Sequence, residues 1–166
     1  MKYLIIILTF IYSTMLAAEP SLNEIRTLFQ KAESNKTACV KLINILKIYN
    51  ETNNTTFAAY KACAAMMFTK FNLNPFKKLT SFKEGKTLLE KCILNDHDNM
   101  ELRFLRFSIQ CNAPAFLGYK DALLDDKTIL LKALPNLNDI QLKKIMISFF
   151  MNSHNLTSIE KQNIKT

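Results

Sequence analysis

Few groups in this 166-residue chain are of types that do chemistry. Asp121 and Asp125 stand one helical turn apart with Asp126 beside them, and two carboxylates on one helix face could share a proton for acid and base work. Lys120 and Lys127 flank them, which is more often the composition of a solvated face. His97 lies in the polar run NDHDN and His154 near the C-terminus, neither with a cysteine at ligand spacing. Cys39, Cys63, Cys92 and Cys111 include no C-x-x-C pair, so zinc binding, haem attachment and thioredoxin-like exchange are disfavoured. G-x-S-x-G and H-E-x-x-H are absent, and two glycines could hardly build a phosphate loop. No metal or cofactor is expected, no catalytic residue is assigned, and an exported enzyme without a recognisable motif stands only as an alternative.

The arginines carry more information. The chain has 19 lysines but only three arginines, and two of these, Arg103 and Arg106, fall inside NMELRFLRFSIQCNAP. Wound as an α-helix, this stretch puts Met100, Phe104, Phe107 and Cys111 on one face and Leu102, Leu105 and Ile109 on a second. Arg103, Arg106 and Gln110 form the third. Both apolar faces need cover, so the helix is predicted to be central, with its arginine stripe facing either a groove or another helix. A buried guanidinium requires an anionic or carbonyl partner, and its planar fork suits a carboxylate bidentately as lysine does not. In the structural reading the partner is Asp121 or Asp125 of the following helix, or Glu84 or Glu90 of the preceding one. In the binding reading Arg103, Arg106 and Gln110 line a concave groove that receives a partner's carboxylate or an acidic peptide.

The elements that must position these groups are helical throughout. SLNE after Pro20 is a capping box that starts a helix running to about Glu33. A second helix is expected over Lys36 to Asn50, ended by NETNNTT, and a third over Thr56 to Phe71 with two apolar faces, a bulky one and a flat one of Ala58, Ala62 and Ala65. Pro75 suits the first turn of a fourth, reaching about Asn95. Asp98 is the expected N-cap of the arginine helix. A sixth spans Lys120 to Leu134, NDIQ opens a seventh with Asn138 as the expected N-cap and Gln141 three on, and TSIE caps a short eighth. No alternating strand pattern occurs. The expected fold is all-α, seven to eight helices in antiparallel hairpins that form a bundle or a solenoid.

Hairpin geometry bears on the cysteines. Cys39 and Cys63 are equidistant from the turn of the second and third helices, which makes them the one pair placed for a disulfide; the alternative is that all four are small buried apolar residues.

The N-terminus points to export. Lys2 precedes the apolar run Tyr3 to Ala18, which ends in small residues and is shorter than the roughly 20 residues of a membrane span, so residues 1–18 are expected to be a secretory signal peptide and residues 19–166 a single helical domain, periplasmic or secreted. An uncleaved N-terminal anchor is the alternative. After cleavage no integral span is expected. The net charge of +8 comes from lysine spread along every segment without a like-charge block, so nucleic acid is not an expected partner, while association of a basic helical protein with an anionic envelope surface is a further alternative.

GKTLLEKCILNDHDN resembles the second helix of a tetratricopeptide repeat. Gly85, Leu89 and Cys92 occupy that family's small, large and small positions, and His97 stands where it has proline, ahead of the turn residues Asp98 and Asn99. The following helix departs from the pattern, with Phe107 at a small position and Arg103 and Arg106 at large ones, and no second copy follows at the family's period of about 34 residues. The resemblance implies tetratricopeptide-like hairpins and a scaffold or adaptor that binds a protein or peptide. It assigns no ligand-contacting side chain.

Overall fold

A computed structural model describes residues 19–165, so the proposed signal peptide lies outside the described residues. Eight α-helices are present among them: α1 (Leu22–Ala32), α2 (Lys36–Ile45), α3 (Thr55–Phe68), α4 (Pro75–Asn95), α5 (Met100–Asn112), α6 (Leu123–Ala133), α7 (Ile140–Asn152) and α8 (Ser158–Lys165). Short 3₁₀ turns follow α3, α5 and α6. The described residues contain no strand, and no described helix is long and apolar enough to cross a membrane.

Side-chain caps set most helix starts. Ser21 and Glu24 close the reciprocal box on α1, Asn35 caps α2, Asn54 caps α3, and Asn74 caps α4 with Pro75 in its first turn. Two caps sit one residue later than the sequence pattern predicts. Asn99, not Asp98, accepts from the amides of Glu101 and Leu102, and Asp139, not Asn138, accepts from the amide of Leu142. The second helix is five residues shorter than expected because asparagine side chains compete for its backbone. Asn50 Oδ1 accepts from the amides of Thr52 and Asn53, and Asn53 Nδ2 donates to the Ile48 carbonyl, folding residues 48–53 into a turn. Tyr49, freed from the helix, packs edge-on against Phe57 at 4.9 Å.

The helices enclose two apolar cores. The first gathers α1 to α4, with Leu42, Leu46, Cys63 and Leu89 among its fully buried members. Where α3 crosses α4, Gly85 brings the two backbones close: a Cβ there would stand 2.7 Å from the Ala62 carbonyl oxygen. The flat alanine face thus meets the small residue of the fourth helix. The second core gathers α6, α7 and Leu156 ahead of α8 around Leu130, Met146 and Phe150. α5 belongs to both. Leu102, Leu105 and Ile109 enter the first core, while Phe104 and Phe107 enter the second, where they stack edge-on against Phe149 and Phe150 at centroid distances of 5.5 to 6.3 Å.

The disulfide between Cys39 and Cys63 does not form. All four cysteines are free thiols. Cys39 Sγ donates to the Ala64 carbonyl at 3.3 Å, which seats it against the backbone of α3, and Cys63 is wholly buried on a side where Cys92 is the neighbouring ionisable group.

Candidate functional site

The arginine stripe of α5 faces α4 and α6. Arg106 donates from Nε to Asp126 Oδ2 at 2.6 Å and from Nη2 to Asp126 Oδ1 at 2.8 Å, while Nη1 reaches Glu90 Oε2 at 2.7 Å. Arg103 adds Nη1 to Asp126 Oδ1 at 3.3 Å and closes Nε onto the His97 carbonyl at 2.9 Å. Tyr119 donates to the other oxygen of Glu90 at 2.5 Å. Asp126 has no solvent exposure, so a bidentate guanidinium is the partner its burial demands. Hydrogen bonding by Asp126 holds the Arg106 guanidinium above its ordinary range, and burial followed by Glu90 pushes the Tyr119 phenol well up.

Of the expected carboxylates, Glu90 takes part, whereas Asp121, Asp125 and Glu84 are exposed. Asp121 precedes α6, which begins at Leu123 and not at Lys120, and within the helix it is Asp126, one position beyond Asp125, that faces α5. Gln110 is buried at the end of the stripe, 1 % exposed, with no hydrogen-bond partner for Oε1 among the described residues.

A second network goes unnoticed in the sequence. Arg26 of α1 is 2 % exposed and spends all five of its N–H donors. Nε and Nη2 hold Glu101 at 2.7 Å each, Nη2 and Nη1 hold Asp139 at 2.7 and 3.1 Å, and Nη1 reaches Gln141 Oε1 at 3.0 Å. Tyr60 donates to Glu101 at 2.6 Å from α3. Burial works against the Arg26 charge, yet the bonds to Glu101 and Asp139 outweigh it. Its rarity among the lysines, the argument applied to Arg103 and Arg106, would have marked Arg26 as well.

The guanidinium groups are committed inside, and one of several surface clefts, of about 470 Å³, lies between α1, α3, α5 and α7. Phe29, Met67, Phe104, Ile109, Ile145 and Phe149 give it apolar walls drawn from both cores. Exposed Glu33, Asn152 and His154 edge it, and the Lys70 ammonium at its border is tied to the Glu33 carbonyl. Cys111 lies within, its thiol pushed up to about 11 by burial against the opposing effect of Ser153, so it is protonated at neutral pH. What the cleft offers a ligand is apolar and aromatic surface bordered by amides, three serine hydroxyls, the His154 imidazole and a lone carboxylate. Arg103, Arg106 and Gln110 are not among the residues that line it. In comparison with known proteins, no family model, curated protein or solved structure matches the chain.

Proposed function

We propose that the chain is a non-catalytic helical scaffold or adaptor, exported under its N-terminal signal, that holds an apolar segment of a protein or peptide partner in the α1/α3/α5/α7 cleft. The observation that carries this reading is the cleft itself. Its walls are apolar and aromatic, they come from four helices fixed by two cores, and a half-open trough of this size accepts one or two bulky side chains. Gly85 at the tight α3–α4 crossing supports the tetratricopeptide-like description of that hairpin, a class of fold whose usual work is protein binding. The arginine stripe recedes as a docking surface in this reading, since its donors already meet Asp126 and Glu90.

A displayed peptide library tests it. Selected peptides should share a bulky aromatic or aliphatic residue, and Ser148→Trp, at an exposed position of the cleft wall, should cut their binding at least tenfold while thermal unfolding is unchanged. Binding that survives the filled cleft would place the site elsewhere.

A further inference from the structure

Where α3 gives way to α4, lysines and large apolar side chains share the surface. Between Glu51 and Glu84 the chain carries Lys61, Lys70, Lys77, Lys78 and Lys83 and no carboxylate. Lys61 is spent on the carbonyls of Lys47 and Tyr49, and Lys70 on that of Glu33. The ammonium groups of Lys77, Lys78 and Lys83 have no hydrogen-bond or ion-pair partner among the described residues. Set among them are three large apolar side chains in water: Leu73 at 97 % exposure, Phe76 at 81 % and Leu79 at 43 %. Phe76, Leu79 and Lys83 follow one helical stripe, and Leu73 stands just ahead of it.

A lone exposed leucine requires no explanation, but three bulky apolar groups together do. Their exposure also fixes the shape of the feature. A side chain 97 % exposed stands clear of its neighbours, so this is a projection and not a trough, and it has no walls with which to grip a partner's side chain. Apolar tips on a projection, accompanied by unpaired lysines and with no acid among residues 71–83, are complementary to a surface that is soft, apolar beneath and anionic on top. Two weak signals acting together, shallow apolar insertion and attraction of lysines to phosphate, are what reversible attachment to such a surface requires.

We propose that residues 71–83 dock the protein on an anionic lipid surface, with Leu73, Phe76 and Leu79 entering the headgroup boundary and Lys77, Lys78 and Lys83 held against lipid phosphates. None of these residues lines the α1/α3/α5/α7 cleft, so the proposal stands or falls separately from peptide binding.

Protein beginning at Glu19 contains both cores and is the form to use, floated with vesicles of mixed phosphatidylglycerol and phosphatidylcholine and with vesicles of phosphatidylcholine alone. Recovery is expected with the anionic vesicles only, and it should fall steeply as salt rises from about 0.1 to 0.5 M. Leu73→Ser with Phe76→Ser, and separately Lys77→Gln with Lys78→Gln, should each weaken binding roughly tenfold or more. Leu94→Ser is the control: it is 78 % exposed on the same helix but about 27 Å further along, and it should bind as the unaltered protein does. All five positions are at least partly exposed, and unchanged thermal unfolding would confirm an intact fold. Equal recovery on neutral vesicles, or equal losses at Leu94 and Phe76, would overturn the proposal. So would binding to soluble polyglutamate with no attachment to vesicles, which would make the tip a contact for an acidic protein.

Discussion

Asp126 is a carboxylate without exposure held between two guanidinium groups, and what becomes of it when one is removed is the sharpest residue-scale test of the structure. Arg106→Ala takes away the bidentate partner and leaves Arg103 at 3.3 Å as the remaining cation. Stability should fall by about 3 kcal/mol, the lower end for breaking a buried pair, lowering the melting temperature by roughly 6–12 °C. Arg106→Lys keeps the charge but cannot reach Asp126 and Glu90 together, so its melting temperature should lie between. Thermal unfolding followed by circular dichroism decides the matter: an Arg106→Ala protein that melts within a degree or two of the parent would mean that the network contributes nothing. That arginine rather than lysine occupies this stripe was legible from composition and helical spacing. Its acceptor was not, because which of Asp121, Asp125 and Asp126 faces α5 depends on how α6 is rotated about its axis against α5, which its own sequence does not give. Arg26 was less legible still. Its acceptors lie 75 and 113 residues away in Glu101 and Asp139, and no local pattern joins positions so far apart.

At the scale of elements, periodicity carried the reading furthest where the apolar faces are clean. α5 divides between the two cores along the faces that its sequence predicts, and α4 has the bounds that Pro75 and the polar turn suggest. The reading failed where side chains bond to nearby backbone. The Asn50 and Asn53 turn ends α2 early, and a helix pattern sees only the apolar Ile48 and Tyr49 continuing it. The cysteine pairing failed for a related reason. Equal distance from a turn sets the height of two residues along a hairpin but not their rotation about the helix axes. The α3–α4 crossing supplies an element-scale prediction with an informative sign. By helix propensity alone Gly85→Ala should stabilise the protein by about 1 kcal/mol. The added Cβ would meet the Ala62 carbonyl at 2.7 Å, and backbone does not yield as a side-chain tip does. Forcing α3 and α4 apart should outweigh the propensity gain and leave a net loss of about 1–2 kcal/mol, read from urea denaturation midpoints. A stabilised Gly85→Ala protein would show that the helices separate freely.

At the scale of the whole molecule, Arg26 adds to the tie that α5 makes between the two cores. It lies on α1 of the first core and grips Asp139 at the start of α7 in the second. The Arg26 guanidinium, against the smaller opposing effect of burial and with help from the Leu142 amide, holds the Asp139 carboxyl below its ordinary range. A depressed carboxylate contributes stability above the unfolded-state value of about 3.9 and loses it as pH falls through the folded value. Urea midpoints measured from pH 7 to pH 2.5 should therefore drop below about pH 4, and Asp139→Asn should be weaker at neutral pH yet flatter in acid. Identical acid profiles for the two proteins would remove Asp139 from the account. The double membership of α5 has a different consequence, which concerns how the chain can be divided. A piece ending at Ala113 would retain the helices of the first core yet carry Phe104 and Phe107 into water, and a piece beginning at Met100 would do the same with Leu102, Leu105 and Ile109. A protease that cuts the connector between Ala113 and Tyr119 would accordingly release nothing, because each product is the missing wall of the other and the nicked halves stay clasped.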